Sequence, residues 1–326
     1  MTVFPNWYYL LAPMPPYRQP GGGGDAVPVW HEGVTMTVQD ERDWAQLLGL
    51  DRLPEHIIGK RVTELMNLSG KKAFVTGAGG DGLGQAIANR LAGCGAEVAL
   101  IGRTLEKVQR RAKEVEQRWG VRAIPVKADM SDWDQVHDAV AHAHGELGGL
   151  DIMVNNPVMV AAGPFELQTK EEIDYTVLGS LTMMMYGAHA ALQHMLAQGS
   201  GKIINIGSVG GRIQQRGLVV YNACKAGVIG FTRNLAHEVA PRGVNVLGVA
   251  PGIMIKPEMR QYLLDPQDDR QRAGRGAIQE AITHQVQLGR ASLPEEAANM
   301  VAFLASEAAD YMCGQTIDVA GGQWMG

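Results

Sequence analysis

Cysteine is scarce: Cys94, Cys224 and Cys313 are the only three in 326 residues, and they lie far apart. That excludes a disulfide framework and a cysteine metal site, and it suits a reducing cytosol, so a cytoplasmic location is expected. No apolar run approaches the ~18 residues that a spanning helix needs. Positive charge is not in excess. Twenty-nine Lys and Arg against 34 Asp and Glu give a net charge of −5, so no global basic field points to nucleic acid or an anionic membrane. The N-terminus has no basic n-region, and Pro13, Pro15 and Pro16 interrupt its short apolar run, so no signal peptide is expected. What remains, 46% hydrophobic and 19% charged residues, is the composition of a soluble globular chain.

Aromatic residues make up only 6% of the chain, yet three of the six Trp (Trp7, Trp30, Trp44) and three of the eight Tyr (Tyr8, Tyr9, Tyr17) fall within residues 1–67. Residues 11–29 are rich in Pro and Gly, including Gly21–Gly24, and are expected to hold no regular structure. A disordered tail is normally poor in aromatics. The expectation is therefore an arm that packs on the body or on a neighbouring subunit, with a floppy extension as the alternative. Helical pieces are expected near 39–49 and 54–66, starting at Gln39 or Asp40 and at Pro54.

From Lys71 the rhythm changes. Apolar strands are expected at 72–76, 97–101, 122–126, 150–155, 202–207, 244–249 and 315–319. Helices are expected at 82–92, 104–119, 131–146, 170–197, 220–240 and 293–306. Alternating β and α with continuous apolar strands predicts an α/β fold, a doubly wound parallel sheet covered on both faces. It spans residues 68–326 as a single Rossmann-type domain, whose ligands bind beyond the carboxyl ends of the strands. Residues 253–290 show no strand pattern and read as a mobile helical lid.

Tyr221 and Lys225 are the residues most suggestive of chemistry. On a helix they share one face, one turn apart. A phenol holds its proton to pH ~10, and a lysine cation beside it favours the phenolate, which makes the tyrosine a usable acid or base. Four other stretches gather around the same crevice. Thr76-Gly-Ala-Gly-Gly-Asp-Gly-Leu-Gly84 joins the first strand to its helix. It suits a pyrophosphate at a helix N-terminus, although glycine runs also occur in plain loops. Asp129 ends the third strand, where it can accept from an adenine amino group; a helix N-cap role for Asp129 or Ser131 fits equally well. Asn155 and Asn156 end the fourth strand, either tying strands together and lining a crevice or serving as turn residues. Ser208 ends the fifth, as a turn residue or as a hydroxyl that converges with Tyr221 and Lys225.

These motifs in this order resemble the short-chain dehydrogenase/reductase family, in its 3-oxoacyl reductase-like branch. Pro251-Gly252 and the ending Gly314-Gln-Thr-Ile-Asp-Val-Ala-Gly-Gly322 complete the match over residues 69–323. The resemblance implies hydride transfer between a nicotinamide and a carbonyl or secondary alcohol, without metal. Ser208 would hold the substrate oxygen. Tyr221 would pass the proton, and Lys225 would lower the tyrosine pKa and grip the cofactor ribose. The resemblance also carries Gly77, Gly79, Asp81, Gly82 and Leu83 to the cofactor phosphates. It assigns Asp129 and Met130 to the adenine end, and Asn155, Tyr221, Lys225, Pro251, Gly252 and Met254 to the remainder of the cofactor. A homotetramer is implied, with the helices near 170–197 and 220–240 at one interface and the N-terminal arm possible at another.

Four departures from the family pattern stand out. The glycine turn holds four residues, Ala78–Asp81, where three are usual, so it must bulge. Pro157 and Val158 replace Ala-Gly, and the proline removes a backbone donor. The relay asparagine falls on Thr176, whose hydroxyl is expected to position a water. The threonine that usually faces the nicotinamide amide falls on Lys256, which has no assigned role and is expected to point into solvent.

At the end of the second strand, Gly102 and Arg103 leave room and charge for a 2′-phosphate, while Asp81 opposes it. NADP is the expected cofactor, and NAD is not excluded. Pro157, Val158, Met159, Val209, Gly210 and Ile253 suggest an apolar pocket suited to a hydrophobic or cyclic ketone. Two alternatives accompany this reading. One is a 3-oxoacyl thioester reductase; the other is a nucleotide-binding scaffold or sensor without catalysis.

Overall fold

The computed structural model describes residues 27–31, 34–38 and 48–326. The helix expected near 39–49 lies almost wholly outside them. The chain divides into two units, the first ending at Lys60 and the second running from Arg61 to Gly326.

In the first unit, β1 (Val27–His31) and β2 (Val34–Val38) form an antiparallel pair with Val27 opposite Val38 and Pro28 opposite Thr37. Residues 27–29 of the Pro/Gly-rich stretch are therefore strand, contrary to expectation. The reason is local. Val27, Val29, Val34, Thr35, Thr37 and Val38 are β-branched and favour a pleated strand, and in a two-stranded ribbon each strand keeps an edge where proline is tolerated. The helical pieces expected near 54–66 are a 3₁₀ turn (Glu55–Ile57), in this unit, and a single helical turn, α1 (Val62–Leu65), which opens the second. Between them Gly59 takes φ +79° and ends the helical path.

The second unit runs β3 (Lys72–Thr76), α2 (Leu83–Gly93), β4 (Glu97–Gly102), α3 (Leu105–Trp119), β5 (Ala123–Lys127), α4 (Trp133–Leu147), β6 (Ile152–Asn155), α5 (Lys170–Val177), α6 (Met183–Gln198), β7 (Gly201–Ile206), α7 (Val219–Val239), β8 (Val244–Pro251), α8 (Pro257–Leu264), α9 (Asp269–Gln285), α10 (Pro294–Ala305) and β9 (Thr316–Val319). The seven strands pair in the order β5-β4-β3-β6-β7-β8-β9, every pair parallel. The chain moves outward from β3 to β5, then returns to the other flank of β3 as β6. That reversal opens a crevice beyond the ends of β3 and β6, where doubly wound folds bind ligands.

Side-chain alternation assigns the two faces. Ala73, Val75, Val98, Leu100, Ile152, Val154, Ile204, Leu247 and Val249 pack with α2, α3 and α10. Phe74, Ala99, Ile101, Met153, Ile203, Val244 and Val246 pack with α4, α6 and α7. Both faces are covered, which is why the strands read as unbroken apolar runs rather than alternating ones. Among the described residues no helix is long and apolar enough to cross a membrane.

The helix expected over 170–197 is interrupted. Residues Leu178–Thr182 form a π-helical turn between α5 and α6. The chain leaving β6 presses on that point. A Cβ on Gly179 would collide with Met159, and Ser180 Oγ donates to Met159 O at 2.7 Å. The lid stretch is helical as expected, with α8 and α9. It is pinned at its ends by reciprocal bonds, Ile255 N to Ser292 O and Ser292 N to Ile253 O, both 2.9 Å.

A chain of polar side chains crosses the second core. Asn155 Nδ2 donates to Asn205 Oδ1 at 3.0 Å, and Asn205 Nδ2 donates to Thr232 Oγ1 at 3.1 Å, all three residues fully buried. It ties β6, β7 and α7 together by groups that have no water to turn to. Replacing Asn205 with Ala strands both partners. It is expected to cost about 2–4 kcal/mol, read as a lower urea midpoint with an unchanged slope.

Candidate active site

The turn after β3 is built from close approach. Gly77 takes φ +67°, and a Cβ there would lie 2.9 Å from Asn156 O. A Cβ on Gly84 would collide with Gly77 O. Only glycine lets the first turn of α2 sit against both the strand end and the chain leaving β6. Gly82 precedes α2 and no side chain caps it, so the first N–H groups of α2 are left for an anion. Thr76 completes the corner: its Oγ1 accepts from Asn156 N at 2.8 Å.

The crevice is a cavity of about 420 Å³. Of the residues expected at the cofactor, Gly77, Asp81, Gly82, Leu83, Arg103, Asp129 and Met130 line it. So do Val158 and Met159 from the expected substrate wall, beside Pro157. The extra residue in the glycine turn is absorbed outside the crevice. Gly79, expected at the phosphates, lies against α3, where a Cβ would meet Val108 Cγ1 at 3.3 Å, and Gly80 takes its place in the lining. Gly102 is hemmed in by the same valine, 2.9 Å from where its Cβ would be. Any side chain at 102 would require Val108 to shift.

Asp81 lines the cavity, and its carboxylate pairs with Arg111 of α3. Arg103 is exposed at the rim and has no hydrogen-bond or ion-pair partner among the described residues. Asp129 Oδ1 accepts from Ser131 N at 3.0 Å and Ser131 Oγ at 2.7 Å. The N-cap of α4 is neither of these residues but Asp132, whose side chain accepts from Gln135 N.

The asparagines divide their work. Asn155, expected at the cofactor, has its side chain fully buried among β6, β7 and α7, whereas Asn156 lines the cavity. Neighbouring strand residues face opposite ways, so only one of the two could do so.

Ser208 follows β7 and holds an extended conformation, with its Oγ accepting from Gly210 N at 3.1 Å. Val209 and Gly210, expected at the substrate, are buried within that turn. On the first turn of α7 stands Tyr221, its phenol within the influence of the Ser208 side chain. Lys225 is 2% exposed, its Nζ 5.7 Å from the Tyr221 ring centre and donating to Ile206 O at 2.9 Å.

The electrostatics differ from the sequence expectation. Burial pushes the Tyr221 phenol above its ordinary value, and the group opposing that rise is the Ser208 side chain rather than Lys225. Burial also lowers Lys225 to about 8. A desolvated ammonium that surrenders its own proton more easily has less charge to lend a neighbour.

Thr176 is fully buried, and its hydroxyl is engaged at both ends. It donates to Glu172 O at 2.9 Å and accepts from Ala161 N at 2.9 Å. Its proton is committed within α5, so it has none to offer a water. Pro251, Gly252, Ile253 and Met254 are not among the residues lining the cavity. They anchor the lid instead: Gly252 N donates to Val319 O at 3.0 Å and Ile253 N to Gln323 Oε1 at 3.3 Å. Lys256 and Met183, not expected there, do line it.

The uncapped helix terminus, the glycine turn whose close backbone approach excludes a Cβ at residues 77 and 84, and the carboxylate at the far rim fit an adenine nucleotide lying across the switch point. Comparison with known proteins agrees. A model of the short chain dehydrogenase family matches residues 71–268. The 3-oxoacyl-[acyl-carrier-protein] reductase FabG of Vibrio cholerae is 37% identical over 260 residues, 80% of this chain and all of that one. A short-chain type dehydrogenase/reductase from Mycobacterium marinum superimposes with a TM-score of 0.72 at 31% identity, covering 82% of this chain and all of that one. The L-sorbose reductase of Gluconobacter frateurii, solved with NADPH and L-sorbose, gives a TM-score of 0.73 at 28% identity over 80% of this chain and 99% of its own. A doubly wound sheet, a nucleotide cradle at its switch point and relatives matched over their whole lengths lead to one conclusion: the chain belongs to the short-chain dehydrogenase/reductase family and is an NAD(P)-dependent oxidoreductase acting between CH–OH and C=O.

Proposed function

We propose that this enzyme reduces an apolar ketone, with Ser208, Tyr221 and Lys225 as its working set. The observation that carries the reading is the Tyr221 phenol beside the Ser208 side chain, with Lys225 four residues on and buried, its amine 5.7 Å from the Tyr221 ring centre. When bound, the nicotinamide supplies the hydride to the carbonyl carbon. Ser208 donates a hydrogen bond to the carbonyl oxygen, and Tyr221 gives that oxygen its proton as negative charge builds there. A phenol held protonated by its surroundings is the right form for reduction. Pro157, Val158, Met159 and Met183 on the crevice wall suit an apolar substrate.

The names of the relatives favour a second reading, a 3-oxoacyl thioester as substrate. Against a dedicated docking patch for a carrier phosphate, two of the basic residues in and beside the lid are already engaged: Arg272 pairs with Asp269 and Arg290 with Glu296. Cyclic ketones assayed beside short 3-oxoacyl thioesters separate the two, and higher kcat/KM for the thioesters would overturn the first. Tyr221→Phe is expected to lower kcat by several orders of magnitude on the better substrate while leaving cofactor affinity nearly intact. Near-normal turnover would refute the proton-donor role.

NADP is the proposed cofactor. Arg103 offers an unengaged guanidinium at the rim, and Asp81, the nearest opposing charge in the turn, is held by Arg111. Arg103→Ala is expected to weaken NADPH binding roughly ten-fold and to leave NADH unchanged. Equal loss for both would reject Arg103 as the residue that selects NADP.

Lys225 gives a pH signature. Below about 8 its amine is charged and, with one donor held by Ile206 O, has two left for the cofactor; above it the charge is gone. Affinity for the cofactor is expected to fall as pH rises through about 8. Titration of binding against pH checks this, and in Lys225→Met that step should vanish.

A further inference from the structure

Lys256 stands just before α8, on the β8 side of the crevice, yet its side chain reaches the opposite wall. A Cβ built on Gly82 would lie 3.5 Å from Lys256 Cε and 3.8 Å from its Nζ. The amine therefore hangs over the turn that opens α2, within the same cavity as Gly77 and Leu83. Among the described residues it has no hydrogen bond or ion pair.

Two like partial charges face each other here. The uncapped N-terminus of α2 is positive, and so is the ammonium. Nearby carboxylates do not resolve the conflict. Asp81 is turned to Arg111, Asp129 is occupied by Ser131, and Glu258, which shares the cavity wall, makes no ion pair with Lys256. An anion held between helix terminus and amine would satisfy both.

We propose that Lys256 grips the pyrophosphate of the nicotinamide cofactor from the lid side, so that binding fastens α8 across the crevice. Lys256 thus joins the α2 terminus as a second phosphate-binding element, and it couples occupancy of the crevice to closure of the lid. The inference rests on the nucleotide crevice already described, not on the choice of substrate.

ADP-ribose, which carries the pyrophosphate without the nicotinamide, is the discriminating probe. In Lys256→Met, affinity for both NADPH and ADP-ribose is expected to fall roughly ten-fold, with most of it restored in Lys256→Arg. The difference from wild type should shrink in 1 M salt, where the screening length is about 3 Å. Limited trypsin digestion supplies an independent readout. ADP-ribose should slow cleavage at Arg260, Arg272 and Arg275 in the wild type and fail to do so in Lys256→Met. The melting temperatures of the free proteins should agree, since Lys256 is exposed. A loss confined to NADPH would overturn the assignment, because the amine would then act at the nicotinamide end. Unchanged affinities for both nucleotides would overturn it too. Failure of the wild type to bind either nucleotide would overturn the crevice itself along with it.

Discussion

The site depends on an approach that side chains would forbid. Helix α2 can begin against the end of β3 because residues 77 and 84 have no Cβ, and the chain leaving β6 closes on the same corner through Asn156 and Thr76. Once those three backbones meet, the free N–H groups of α2 point into the cavity, and the ends of β4 and β5 deliver Gly102, Arg103 and Asp129 to its rim. The parallel register sets those distances. A strand cannot slip by one residue without sending its buried face to the wrong layer, so the polar rim is fixed by the apolar sheet beneath it.

Burial dominates the electrostatics of the reacting end. Tyr221 is shifted up and Lys225 down by the same cause, loss of water. Both shifts favour the neutral form, so the free protein resists charge at the place where the reaction needs a proton to move. The carbonyl of Ile206 offsets part of that resistance at Lys225 with a fixed hydrogen bond, and the Ser208 side chain does so at Tyr221. Such preorganised partners need no rearrangement when charge appears.

The sheet was legible because both its faces are covered, which makes each strand an apolar run between turn residues. Ser208, Tyr221 and Lys225 were legible for a related reason: strand ends and helix turns place them by counting. What counting cannot do is assign direction. It could not say which of Asn155 and Asn156 faces the core. It could not foresee that Val209 is buried under Ser208, or that the proton of Thr176 is spent on Glu172. Nor could it show the π turn, because the apolar pattern of residues 170–197 reads as one helix. Lys256 was opaque for the opposite reason. An exposed lysine after a strand looks like a solvated charge until the far wall of the crevice is known. The β1–β2 pair was obscured by averaging Pro and Gly content across the boundary where the β-branched residues begin.

The π-helical turn at Leu178–Thr182 has a mechanical meaning. One extra residue in a helical turn offsets everything after it by about 100° around the axis. α5 and α6 therefore share a path without sharing a phase. The first half is indexed to the loop after β6 through Thr176 and Ala161, and the second to the sheet through Met183, Ala188 and Met195. The offset works like a clutch between two gears. Changes in α5 reach the crevice only through the loop after β6, whereas α6 rests on the sheet and sets Met183 in the crevice wall, so the two halves can shift substrate preference by separate routes.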